Sequence, residues 1–142
     1  MFVGMDILLD FDGTVVTHEF PEIGQDIGAV PVLKRLIDKG HNLILFTMRC
    51  NGMKDPSHES DEHGRDCLRE ALDWFEKNGI KIKAVNNNPG QEMWTGSRKP
   101  HGNLIIDDTC LGAPIRYNPD ISERVFIDWK TVALWLEAEG II

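Results

Sequence analysis

The segment MDILLDFDGT, residues 5–14, constrains this chain more than any other. Ile7, Leu8 and Leu9 follow one another without a polar break, so neither side of the run is suited to water. A short, unalternating apolar run of this kind reads as a strand covered on both faces, the usual situation in a parallel sheet. The run then stops at Asp10, and Asp12, Gly13 and Thr14 follow. Asp and Gly are turn residues, so the chain leaves the buried strand through a turn that carries two carboxylates.

The same pattern recurs. Asn42–Thr47 (NLILFT) and Asn103–Asp107 (NLIID) are further buried strands, Lys81–Val85 (KIKAV) is a shorter one, and Arg124–Ile127 is a fifth. Helical periodicity fills the intervals. Pro31–Lys39 carries Val32, Leu33, Leu36 and Ile37 on one side, with a proline suited to a first turn and Gly40 suited to a stop. Asp61–Asn78 carries Leu68, Ala71, Leu72 and Phe75, and a last helix near Asp128–Glu139 turns Val132, Trp135 and Leu136 inward. Residues 50–60 and 86–99 read as loops. Strands alternating with helices predict the α/β class: a three-layer, Rossmann-like parallel sheet flanked by helices. Ligands of such sheets bind beyond the carboxyl ends of the strands. Asp10, Asp12, Thr47, Asp107 and Asp108 all fall at those ends.

The chain has 142 residues, which fits a single domain over 1–142. Its apolar runs span only a handful of residues, too few for a transmembrane helix. The N-terminus lacks a basic region and a small-residue cleavage site, so it reads as a strand and not as a signal peptide. Cys50, Cys67 and Cys110 are odd in number and form no CxxC, as expected of reduced thiols in a cytoplasmic protein. A net charge of −8 argues against a nucleic-acid or anionic-membrane partner. His58 and His63 lack the i, i+4 spacing of a helical zinc site.

If the strands ending in Asp10 and Asp107 are neighbours, three or four carboxylates converge. Two carboxylates about 4 Å apart repel by about 4 kcal/mol at an effective dielectric near 20. Such a cluster requires protonation, a basic partner or a metal. An all-oxygen donor set favours Mg²⁺ over zinc or copper. The hydroxyl of Thr47 can hydrogen-bond an anion, and Lys99 is a point charge suited to phosphate, with Arg98 and Lys83 as rival cations. Arg49, just beyond Thr47, can contact a substrate anion, and Trp94 can line the substrate side. Trp74, Trp129 and Trp135 lie in helical patterns as packing residues.

Read in order, DFDGT at 10–14, a strand-terminal Thr47, Lys99 and the strand-terminal pair Asp107-Asp108 resemble the haloacid dehalogenase-like (HAD) hydrolase superfamily. DFDGT is the specific part of that resemblance; the Thr and Lys motifs are degenerate. The resemblance implies that Asp10 is a nucleophile forming an aspartyl-phosphate. It makes Asp12 the general acid/base, with its main-chain carbonyl on the metal. Thr47 binds the phosphoryl group, Lys99 offsets its charge, and Asp107 and Asp108 hold Mg²⁺ together with Asp10. An acid at position 12 points to phosphatases or phosphomutases and away from dehalogenases. The intervals from Asp10 to Thr47 and from Thr47 to Lys99 hold no room for a cap domain, so the resemblance implies a capless member with an open site. The expected partner is a phosphorylated small molecule or macromolecule. Val15–Gly28, Arg49–Ser60 or a second copy of the chain in a homo-oligomer can serve as a lid. Two other readings compete: a catalytically silent phosphate-binding module, and a phosphorelay receiver, whose motifs run in a different order.

Overall fold

The computed structural model describes residues 4–52 and 64–142. The buried runs align side by side as β1 (Asp6–Leu9), β2 (Asn42–Leu45), β3 (Ala84–Val85) and β4 (Leu104–Ile106). They form a four-stranded sheet of order β3-β2-β1-β4 in which every pairing is parallel. The expected α/β class, with a Rossmann-like parallel sheet flanked by helices, is what the chain adopts.

Register explains the core. Ile7 pairs with Leu43, Leu9 with Leu45 on one side and with Ile106 on the other. Partners in a sheet share a face. These five residues therefore point together. They join one cluster with Leu33 and Leu36 of α1 (Ala29–Asp38), Ala71 and Phe75 of α2 (Cys67–Lys77), and Val132 and Leu136 of α3 (Trp129–Ala138). Leu8 and Ile44 point the other way and are equally buried. On that side the segment 86–103 closes over the sheet. Its approach is so close that a Cβ on Gly102 would lie 2.6 Å from Leu8 Cγ. The only helical part of that segment among the described residues is the short turn Gln91–Met93. Asn88 ties it to Asp6 and Gln91 holds its far limb through the Lys99 carbonyl.

Three expectations need correction. Helix α2 starts at Cys67 and not at Asp61, because the Asp66 side chain caps it by accepting from Arg69 N at 2.9 Å. Positions 61–63, like most of the loop expected at 50–60, lie outside the described residues. The fifth strand, here β6 (Phe126–Ile127), stands apart from the parallel sheet and pairs antiparallel with β5 (Ile115–Arg116). Finally, Trp135 is 54% exposed. The inner stripe of α3 is Trp129, Val132 and Leu136, at i, i+3 and i+7, and Trp135 falls beside it.

Trp129 does more than pack. Its buried indole N–H donates to the Thr14 carbonyl at 2.7 Å, and Ile127 N donates to the Gly13 carbonyl at 3.0 Å. The C-terminal part of the fold thus holds the turn after β1 from behind. No helix among the described residues is long and apolar enough to cross a membrane.

Candidate active site

The sheet delivers Asp10 and Asp107 to the same place because β1 and β4 are neighbours in register. Asp10 N donates to the Ile106 carbonyl at 3.0 Å, one step past the last paired residues. The chain then turns on itself: Val15 N returns to the Phe11 carbonyl and Gly13 N to Val16. Gly13 has φ +83°, the left-handed region that favours glycine. A Cβ there would also lie 2.6 Å from Asp108 Oδ2. Gly13→Ala should therefore cost about 1–3 kcal/mol of stability and push Asp108 out of the cluster. Thermal unfolding and a crystal structure of the variant check this; an unmoved Asp108 would contradict it.

Asp10, Asp107 and Asp108 each place one carboxylate oxygen within 4.8 Å of the others. Threonines brace them. Thr14 Oγ donates to Asp10 Oδ2 at 2.7 Å and accepts from Asp108 N at 3.0 Å. Asp107 Oδ1 accepts from the N and Oγ of Thr109, at 2.8 and 2.7 Å. The electrostatic consequence falls on Asp10, whose carboxyl is pushed up from 3.8 to about 8. Burial is the main cause; the Thr14 hydroxyl pulls the other way, and the charges of Asp107 and Asp108 add to the rise.

The cluster lines one wall of a cavity of about 320 Å³, which Asp12, Thr47, His18, Phe20, Met48, Arg49 and Thr109 also line. Thr47 is fixed by Asn86, whose side chain accepts from Thr47 N and donates to the Thr47 carbonyl, both at 2.9 Å. Asn86 itself has φ +51°, a conformation that asparagine tolerates better than most side chains. Thr47 Oγ accepts from Arg49 N at 3.1 Å, which leaves its hydroxyl proton to donate to a ligand. His18 and Phe20 reach the cavity because the segment after the turn folds back as a flap. Val16 bridges Asp26, and Thr17 and Gln25 exchange hydrogen bonds at 3.0 and 2.8 Å. This flap is part of the Val15–Gly28 stretch expected to serve as a lid.

Asp12 faces the cavity but stands apart from the three-carboxylate cluster. Both of its oxygens accept from Arg49, Oδ2 from Nε and Oδ1 from Nη2, each at 2.7 Å. The remaining Arg49 donors go to main-chain carbonyls: Nη1 to Pro21 and Cys67, both at 3.2 Å, and Nη2 to Glu22 at 2.9 Å. A guanidinium has five N–H groups, and all five are accounted for. The expected contact between Arg49 and a substrate anion is therefore corrected: this arginine is 2% exposed and fully committed inside the protein.

Among the described residues, the rival cations Lys83, Arg98 and Lys99 lie away from the cavity. Lys83 pairs with Asp6 at the amino end of β1, opposite the cavity. Lys99 and Arg98 are exposed on the segment 86–103 and do not line the cavity, and neither does Trp94, which is 67% exposed and packs edge-on against His101. From the sequence, Thr14, Met48, Asn86 and Thr109 carried no role of their own, and His18 and Phe20 entered only within the Val15–Gly28 stretch. Thr109 carried a signal because it adjoins Asp108, and Thr14 because it closes the DFDGT motif; a short hydroxyl side chain in either place can brace nearby groups.

These features define a Rossmann-like α/β protein with a triad of acids and a threonine at the carboxyl edge of its sheet. No family model matches the chain, and no curated protein matches it. A solved structure of a conserved protein from Bacteroides thetaiotaomicron is similar, with 30% sequence identity and a TM-score of 0.69. The similarity covers 96% of this chain and 93% of that one. At that identity and coverage the chain belongs to the same family as the Bacteroides protein.

Proposed function

We propose that the chain is an Mg²⁺-dependent phosphatase of the HAD type that hydrolyses a phosphomonoester through an aspartyl-phosphate on Asp10. The observation that carries this reading is the convergence of Asp10, Asp107 and Asp108 beside Thr47 in one cavity. Among the described lining residues the one Lys or Arg side chain is Arg49, and it is spent on Asp12 and main-chain carbonyls. Three acids in this arrangement call for a cation from solution, and their all-oxygen donor set suits a hard divalent ion. The carboxylates of Asp10, Asp107 and Asp108, with the Asp12 main-chain carbonyl, would hold Mg²⁺. When bound it neutralises carboxylate and phosphoryl charge.

The residues then divide the work. Asp10 attacks phosphorus, forming an O–P bond as the ester P–O bond breaks. Thr47 donates its hydroxyl proton to a phosphoryl oxygen. Asp12 gives a proton to the departing ester oxygen, then takes one from the water that attacks the acyl phosphate. The second step breaks the Asp10–phosphorus bond and releases inorganic phosphate. His18, Phe20 and Met48 face the side from which a leaving group would extend. Met48 is 90% exposed, so that side is open to a bulky substituent.

The test is a panel of phosphomonoesters with Mg²⁺ or with chelator, followed by acid quench of a ³²P-labelled substrate. Expected are hydrolysis only with the metal and a hydroxylamine-labile label that maps to Asp10. Metal-independent turnover, or label on another residue, would overturn the reading.

A further inference from the structure

Arg49 presents a physical oddity. Its side chain is 1% exposed and its partner Asp12 is 13% exposed, so an ion pair has been taken largely out of water at the edge of the core. Buried pairs are weak sources of stability compared with apolar packing of the same volume. The value of the fork lies in geometry: two parallel N–H···O bonds fix both the position and the plane of a carboxylate. The rest of the guanidinium is fixed just as firmly. It is held by carbonyls from the turn at 21–22 and from the start of α2, and it lies 5.1 Å from the Phe11 ring centre and 5.2 Å from that of Phe20. Among the described residues, every group that grips Arg49 other than Asp12 is a main-chain carbonyl or a ring. The arginine is thus a rigid plug whose one carboxylate partner opens onto the cavity.

We infer that Arg49 is the positioning residue for Asp12: it holds the carboxylate at the cavity wall and aims it at the oxygen leaving phosphorus. This rests on the phosphatase reading. Arg49 has no N–H group left to offer a substrate. With both Asp12 oxygens gripped, the proton that Asp12 gives to the leaving oxygen must sit on the outer lone pair of one of them, or on an oxygen that has slipped its bond to Arg49. In either case the fork decides where the acid stands. A lysine in its place keeps the charge but not the plane.

The experiment compares Arg49→Lys, Asp12→Asn and the double variant on an alkyl phosphate and on nitrophenyl phosphate. On the alkyl ester, kcat of Arg49→Lys should fall about 100-fold with KM within about 3-fold, as for a misplaced catalytic group. On the nitrophenyl ester, whose leaving oxygen needs little proton assistance, the fall should stay under about 10-fold. In the Asp12→Asn background Arg49→Lys should add nothing. Equal losses on the two esters, or a further loss in the double variant, would overturn the inference. Arg49→Gln serves as a second variant; if neither folds, Arg49 is a structural residue and the inference falls. If the parent hydrolyses no ester, the phosphatase reading fails on its own, and crystal structures of parent and Arg49→Lys decide about Arg49. A shift of Asp12 by about 1 Å or more with Asp10, Asp107 and Asp108 in place supports it; an unmoved Asp12 overturns it.

Discussion

Asp10→Asn should abolish phosphate release, by at least about 1,000-fold, and at the same time make the metal-free protein more stable. The two effects have one origin. Asp10 is partly buried beside Asp107 and Asp108, and its carboxyl is pushed up to about 8. At neutral pH the metal-free fold must either hold a proton that bulk water would remove or keep neighbouring negative charges together. An asparagine removes that conflict. Its oxygen can still accept from Thr14, and its amide N–H can donate to Asp107 or Asp108. A gain of about 1–3 kcal/mol is expected, or several degrees in melting temperature for a domain of this size. Phosphate release and thermal melts in chelator on parent and variant check both halves. A variant as active as the parent would remove Asp10 from the chemistry; a less stable one would show that the acids do not strain the fold.

Stability of the parent should depend on pH and metal together. The folded-state value of Asp10 lies above its ordinary value of 3.8, so the folded state binds a proton that the unfolded state has released. Stability therefore falls as pH rises from about 4 to about 8, and levels off once Asp10 is ionised in both states. The proposed Mg²⁺ would act on the same group with the opposite preference, since it needs the ionised form. In chelator, the melting temperature should drop between pH 5.5 and pH 8; saturating Mg²⁺ should reverse the drop, raising it more at pH 8 than at pH 5.5. Asp10→Asn should flatten the dependence. A parent that gains stability over that window in chelator, or gains equally from Mg²⁺ at both pH values, would contradict the account.

The parts of this protein that were legible from its residues share a physical property: their signal is local. Ile7–Leu9 and Leu43–Leu45 are apolar on both faces, and only a covered strand satisfies that, so the sheet and its carboxyl-end acids follow directly. The stripe of α1 reads equally well. What was not legible depends on distant segments meeting. Arg49 looked like an outward cation because nothing near it in sequence announces that carbonyls from Pro21, Glu22 and Cys67 converge on it. Lys99 looked like an active-site cation by its place in the motif order. The path of segment 86–103 across the sheet, pinned by Asn88 at Asp6 and by Gln91, was invisible. Asn86 offered only a turn residue to the reader, and its double bond to Thr47 needs β2 and β3 side by side. The helical period of α3 was right, but its phase was set by Trp129, whose indole has a partner 115 positions away.

That indole also makes the protein its own optical probe. Trp129 is 3% exposed, while Trp94 and Trp135 are 67% and 54% exposed. A soluble quencher such as iodide would darken the outer pair and leave the emission of Trp129 and of the partly buried Trp74. The Trp129 N–H is bonded to the carbonyl of Thr14, and the hydroxyl of that same residue joins Asp10 to Asp108. Whatever settles among the acids pulls on a chromophore one residue away, so the filling of the site can be followed by intrinsic fluorescence without a label.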